Sequence, residues 1–591
     1  MNHTRLHPPR GRRPGRDARG VPADPTAEVG VVRKTHGGRL RVALAFPNTY
    51  FVGMSNLGLQ TVYSLFNADD RVVCERVFLP PKQGLSAGRR DPLVTIESGT
   101  LVRQFDVFAF SVSFEWDYTN VVTMLRLAGI EPRAARRHPR DPLIVIGGAV
   151  TFVNPEPLAP FADVIAAGEG ELLTPALIEA LVETGRDREA LFDRLVASNG
   201  FYVPSRYDVT YDGPGRVAAI TPKPGASAPP IVRKAAVKAA DRIEPPATRI
   251  FTPATEFGSR LLIEVVRGCA NLCRFCWAGY NYLPVRPFET RRILEIAEAA
   301  RPHATRVGLV SIALCDHPDI ELILQRLVEM GYGISPASLR LDDLTEPIVS
   351  LLRQAGERSI TIAPETGSDR LRRVINKTVT NEQILDRADV IFRAGIENLK
   401  LYFMIGLPSE TDEDLAAIRD LALAVRDRMV EHARSRGTIG RLVASVNPLI
   451  PKPGTTFQWL PMTRAREIDR KTEVLRAAVS GIDNVYFNIK SERHSYYQGL
   501  LSLGDRRVAD VVELAEQNGG DWRAAVAAAG LDAEAYLYRD RTADPFLPWQ
   551  IIDGGHRSTL FREEWRKSER AEWTLPAKRA AAVGPAAPAN S

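Results

Sequence analysis

At 591 residues the chain is too long for one ordinary domain and suggests three or four. Its 45% hydrophobic and 25% charged residues are those of a globular protein, and no apolar run reaches the roughly 18 residues of a membrane span. Residues 1–40 hold nine Lys and Arg against three acids, which accounts for the whole net charge of +6 and leaves the rest of the chain neutral.

That first stretch, rich in Pro and Gly and without periodicity, reads as a disordered basic arm. It is either a solvated tail or a segment able to hold RNA or a ribosome electrostatically. It lacks the apolar core of a secretory signal, and the few cysteines are clustered, so the expected compartment is the reducing cytoplasm.

Order begins at residue 41. Short apolar runs at Val42–Pro47, Val107–Ser113, Leu143–Gly148 and Ala162–Gly168 alternate with helical patterns. This predicts an α/β domain over 41–185 with a parallel sheet covered on both faces. Ligands of such sheets bind beyond the carboxyl ends of the strands. Asn48, Thr49, Ser111, Ser113, Gly147, Gly148 and Gly168-Glu-Gly170 fall there. Residues 186–255 are dense in proline and read as a connector with a small β element.

Strand–helix alternation resumes over 256–490, with strands expected at Leu262–Val266, Val307–Ser311, Ile334–Leu339, Ser359–Ala363, Leu399–Ile405 and Leu442–Val446. A helical region follows over 491–575, and an Ala/Pro-rich tail over 576–591. Three of the five cysteines, Cys269, Cys273 and Cys276, lie in Arg267-Gly-Cys-Ala-Asn-Leu-Cys-Arg-Phe-Cys-Trp277, directly after the first of these strands. Three thiols cannot pair off, and no fourth Cys or His stands at zinc-finger spacing. Three thiolates suit a cubane iron–sulfur cluster with one iron left open.

The C-x3-C-x2-C spacing, with Phe275 before the last Cys, resembles the signature of the radical S-adenosylmethionine (SAM) superfamily. The resemblance implies an open partial (β/α)6 barrel whose chemistry lies at the strands' carboxyl ends, a four-iron four-sulfur cluster on the three cysteines, and SAM on the open iron. It also implies a one-electron donor such as flavodoxin or ferredoxin, and cleavage of SAM to a 5′-deoxyadenosyl radical. Pro364-Glu-Thr-Gly-Ser368 resembles the stretch that meets SAM in related subfamilies, which makes Glu365 and Ser368 candidates, with Lys377 able to answer the SAM carboxylate. Met404-Ile-Gly-Leu-Pro-Ser-Glu410 resembles the adenine-packing stretch and brings in Gly406. A helix cap is the alternative for Ser368. Cys315, near His317, is a candidate for hydrogen-atom relay or simply a packed thiol. Cys74 reads as core.

The N-terminal half resembles the cobalamin-binding Rossmann-like domain fused to many such enzymes. Ser111, Ser113, Gly147 and Gly148 stand where that family accommodates the nucleotide loop, and Gly168-Glu-Gly-Glu171 is typical of the fusions. The loop Asn48-Thr-Tyr-Phe-Val-Gly53 lacks the His that ligates cobalt in one version of the family, so cobalamin would lack that ligand; a domain that keeps the fold without a corrin is the alternative. The reactions open to the chain are cobalamin-dependent methylation, another radical rearrangement, or methylthiolation of RNA or a ribosomal protein. The last needs three further N-domain cysteines, where only Cys74 stands. An RNA-binding redox sensor is the reading from another class.

Overall fold

The computed structural model describes residues 28–80, 92–337, 339–479, 481–490, 492–557 and 559–574. Most of the expected basic arm and the whole expected tail lie outside them. The N-terminal sheet contains β1 (Leu40–Phe46), β2 (Val72–Phe78), β3 (Val107–Ser111), β4 (Leu143–Gly147), β5 (Val164–Ala166) and β6 (Phe201–Tyr202). Its order is β2-β1-β3-β4-β5-β6, parallel except for β6. Every residue of β2, β3 and β5 is buried, as a sheet covered on both faces requires.

One face, with Leu44, Ala109 and Val145, packs on the helices Leu57–Ala68, Gly170–Thr184 and Arg188–Val196. Asn56 starts the first of these helices, its Oδ1 accepting the Leu59 N–H at 2.9 Å. The other face, with Phe108, Phe110 and Ile144, packs on helix Tyr118–Leu127 and shares one core with residues from the C-terminal helices. Helix Val508–Gln517 adds ion pairs there, Arg126 to Glu513 at 3.0 Å and Arg133 to Glu513 at 2.7 Å.

The connector splits between its neighbours. β6 completes the N-terminal sheet, β7 (Tyr207–Tyr211) and β8 (Val217–Pro222) form a hairpin, and β9 (Val232–Arg233) pairs with β19 (Ile552–Asp553) near the chain's end.

The barrel is two parallel sheets. The first holds β10 (Leu261–Glu264), β13 (Arg306–Val310) and β14 (Gly333–Pro336). The second holds β15 (Ser359–Glu365), β16 (Asn398–Ile405), β17 (Leu442–Pro448) and β18 (Val485–Ile489). A short antiparallel pair, β11 (Val266–Arg267) and β12 (Arg286–Pro287), brackets the cysteine loop. All six expected strands are present, and β18 adds a seventh; its apolar alternation is too short to stand out from the flanking helical patterns. Residues of both sheets, from Leu261 to Val485, belong to one hydrophobic core with the outer helices.

Candidate functional site

The cysteine loop leaves β11 through Gly268, whose φ of +95° places a would-be Cβ 2.4 Å from the Tyr282 carbonyl oxygen, so only glycine fits. Leu272 within it also has a positive φ, +49°. Cys269, Cys273 and Cys276 are all partly buried and in no disulfide. Burial pushes the Cys273 thiol up to about 12 and the Cys276 thiol up to about 11, with the neighbouring thiols adding to both. The Gly279 N–H donates to Cys276 Sγ at 3.3 Å, the kind of bond that stabilises a sulfur carrying charge.

Among the described residues no three Cys, His, Asp or Glu side chains converge on a single metal ion. A cubane takes one thiolate at each of several irons, and three free cysteines on one loop suit it.

The loop is clamped from outside the barrel, which sequence reasoning missed. Arg274, fully buried, donates to the Arg373 and Val374 carbonyls at 2.6 and 3.1 Å and pairs with Glu564 at 3.2 Å. The Asn376 Nδ2 donates to the carbonyls of Asn271, Leu272 and Thr574, and its Oδ1 accepts the Thr574 N–H at 2.8 Å. Phe275 packs against the small core of Leu371, Val374, Ile375, Leu407, Leu449 and Phe457, as does Trp565. No spacing rule links Glu564 or Thr574 to a loop some 290 residues earlier; only the folded chain joins them.

Glu365 ends β15 at a bulge, with φ +67°, a strained value for a side chain of its kind. Its Oε1 lies 3.2 Å from Lys377 Nζ. Burial raises the Glu365 pKa against the pull of Lys377. For Lys377 burial acts downward, but the Glu365 carboxylate and Cys273 prevail and raise it. The pair is partly buried, bonded to each other, and close enough to Cys273 for that thiol to act on Lys377.

The other barrel candidates are held locally. Ser368 caps helix Asp369–Ile375, its Oγ accepting the Leu371 N–H at 3.1 Å. Gly406, at φ +78°, leaves space for Thr463, whose Oγ1 would lie 2.8 Å from an added Cβ. The Gly406 N–H donates to Glu410 at 2.8 Å. Cys315 packs against the barrel core with its thiol pointed at the Asp343 carbonyl, 3.8 Å away, and burial raises its pKa well above the usual thiol range. His317 accepts the Asp319 N–H at Nδ1 and so donates from Nε2 to the Phe288 carbonyl at 2.7 Å, a structural role. Cys74 is buried in β2.

A cavity of about 600 Å³ opens beyond the carboxyl ends of the N-terminal strands and runs to the barrel. Ser111, Ser113, Gly147 and Gly148 all line it, as does Gly168-Glu-Gly-Glu171. Across from them stand Glu264, Arg267, Gly268, Ser311 and Ile312 of the barrel. Asn48 does not line it, because its amide donates to Asp117 at 2.9 Å and its Oδ1 accepts the Thr49 N–H. Among the described residues no imidazole lines this space. Phe152, Trp277 and Tyr282 form an aromatic group where the cavity meets the cysteine loop, with Phe152 and Trp277 centroids 5.3 Å apart.

Residues 58–204 match the family description "Radical SAM proteins, N-terminal", and residues 263–422 match "Radical SAM superfamily". The chain belongs to the radical SAM superfamily and is a radical SAM enzyme, with a four-iron four-sulfur cluster and SAM as its cofactors and a need for an electron donor. It is 28% identical over 483 residues to uncharacterized protein MJ0966 of Methanocaldococcus jannaschii, covering 80% of this chain and 90% of that one. It is 25% identical to uncharacterized methyltransferase PH0819 of Pyrococcus horikoshii, over 46% of this chain and 56% of that protein. Among solved structures it resembles the radical SAM methyltransferase TsrM of Kitasatospora setae, at 15% identity and a TM-score of 0.48, over 92% of this chain and all of that one. No helix among the described residues is long and apolar enough to cross a membrane.

Proposed function

We propose that the chain is a corrinoid-dependent radical SAM methyltransferase, in which Cys269, Cys273 and Cys276 hold the cluster and the N-terminal cavity holds cobalamin. The cavity carries this reading: about 600 Å³ of largely apolar space joins the ligand-binding end of the N-terminal sheet to the loop that bears the three cysteines. Its fit to a corrinoid rests on Gly147 and Gly148 opening the sheet end, with Ser111 and Ser113 beside them as hydrogen-bonding groups. The similarity to PH0819, a protein described as a methyltransferase, points the same way.

When bound, the cluster and SAM supply one-electron cleavage chemistry, and a corrinoid supplies a carrier for a methyl group. The chain's own residues bind and shield. Glu365 offers a carboxylate to the SAM ammonium or ribose hydroxyls, and Lys377 an ammonium to its carboxylate, so a zwitterionic ligand replaces their mutual bond with two charge-assisted ones. Phe152, Trp277 and Tyr282 exclude water between the two cofactor regions. Ser368 and Gly406 support this pocket from behind, through the helix cap and the close turn. The electron donor is of the flavodoxin or ferredoxin kind, and the compartment is the reducing cytoplasm.

The test is anaerobic. Reconstituted protein with dithionite and SAM should release 5′-deoxyadenosine or S-adenosylhomocysteine, and Cys273→Ala should abolish both. Added hydroxocobalamin should co-elute with the chain and, once reduced, show a base-off spectrum, since among the described residues no imidazole lines the cavity. A chain that turns over SAM yet retains no corrinoid would refute the methyl-carrier half of the reading.

A further inference from the structure

Along the first barrel sheet, alternate residues face opposite ways. Leu261, Ile263, Val307 and Leu309 enter the core with the outer helices, which puts Arg260, Leu262 and Glu264, and Arg306, Gly308 and Val310, on the inner face. Leu261 pairs with Val307, so Arg260 stands directly beside Arg306 where the strands begin. Neighbouring strands lie about 4.8 Å apart, and like charges set side by side across them repel.

Two glycines make space for this arrangement. A Cβ at Gly308 would lie 3.3 Å from Arg260 Cδ, and one at Gly333 would lie 2.8 Å from Arg306 Nη1. The Arg306 Nη2 donates to Ser335 Oγ at 3.0 Å, whereas the Arg260 Nε is buried with no acceptor. Among the described residues neither arginine has a carboxylate as an ion-pair partner. Glu357 acts on Arg260 only at longer range, and its Oε1 accepts the backbone N–H groups of Arg358 and Ser359.

We propose that Arg260, Arg306 and Ser335 form an anion-binding site at the N-terminal mouth of the barrel that takes the phosphate or carboxylate end of the substrate. Guanidinium forks match both groups bidentately, and an anion relieves the repulsion between the two arginines. From Arg260 to Glu264, at the cavity wall, is four residues, or about 13 Å at 3.3 Å per residue. A substrate anchored below and about that long presents its far end to the cavity. That placement rests on the function proposed above; anion binding itself does not.

The test uses the full chain with its cluster reconstituted, titrated with orthophosphate in one arm and propionate in another at constant ionic strength. We expect a saturable rise in Tm with at least one anion, and at least tenfold weaker binding in Arg260→Gln and Arg306→Gln. Gly333→Ala, which displaces the Arg306 guanidinium without removing charge, should weaken it as well and serves if an arginine variant does not fold. No saturable shift with either anion, or a shift that survives in these variants, overturns the proposal. Iron content and dithionite-driven SAM cleavage are measured on the same samples; their loss in wild type would count against the radical reading and not against the anion site.

Discussion

Glu169, at the start of helix Gly170–Thr184 in the N-terminal domain, bonds to Arg267 of the barrel at 3.0 Å, across 98 residues of chain. Arg267 also bonds Glu171 and Glu264, each at 2.7 Å, and Glu169 takes a second arginine, Arg286, at 2.7 Å. All of this lies buried one residue ahead of Gly268 and the cysteine loop. Burial opposes the Glu169 charge, but the two arginines hold its carboxyl below the usual range. The motif that ends the N-terminal sheet is thereby fastened to the segment that starts the cluster loop.

Arg267→Met should strand the Glu171 and Glu264 carboxylates in this buried space and leave Glu169 to Arg286. Breaking one partner of such a network costs about 3 to 5 kcal/mol. Denaturant unfolding of the cluster-free protein would measure it, and a loss below about 1 kcal/mol would mean that water or relaxation replaces the clasp.

Two adjacent glycines should behave differently. Gly148 has φ +102° and a would-be Cβ 2.3 Å from the Val112 carbonyl oxygen, so Gly148→Ala should lower stability by about 1 to 3 kcal/mol or more. An added Cβ at Gly147 meets nothing nearer than 3.7 Å, and the position faces the cavity alongside Val145. Gly147→Leu should therefore leave Tm nearly unchanged while hydroxocobalamin binding, followed by absorbance, falls at least tenfold.

Asn376→Gly separates backbone from side chain. Asn376 sits at φ +55°, which glycine tolerates, so the helix end should survive. Its amide ties Asn271, Leu272 and Thr574 together, and without it the cysteine loop should hold iron less well. Iron per chain after reconstitution should drop by half or more with little change in far-UV circular dichroism. Full iron content would show that Arg274 alone secures the loop.

Asp117 offers a pH test away from the cluster. Burial raises its pKa from 3.8 to about 6, despite donated bonds from Asn48 and Asn120 to Oδ1. A raised carboxyl pKa adds stability below the unfolded value near 4, and that contribution is lost as pH rises through about 6. Asp117→Asn keeps an oxygen for both donors, so it should stabilise the protein by about 2 to 3 kcal/mol at pH 7 and hardly at all at pH 4. Equal gains at both pH values would assign the effect to packing.

Much of the site was legible from local chemistry. Ser111, Ser113, Gly147 and Gly148 could be placed at one sheet end because apolar runs end where ligand-facing polar residues begin, and these four do share one wall. Gly406 and Ser368 show the limit of that reasoning. The same small residues serve a close turn and a helix cap, and nothing in their spacing separates those uses from ligand contact. β18 went unread because five residues of weak alternation carry little signal between two helices.

By itself the sequence determined the strand–helix alternation, the three-cysteine loop and its place after the first barrel strand. Those features depend on residues near one another in the chain, through periodicity and ligand spacing. Only the tertiary structure decided that Arg267 answers Glu169, that Glu564 and Thr574 brace the cysteine loop, and that Arg260 meets Arg306 at the barrel mouth. Each of these is a buried charge or amide finding its partner across the fold. Such pairings are set by which surfaces pack together, and one residue's chemistry does not say which of many possible partners will lie within 3 Å.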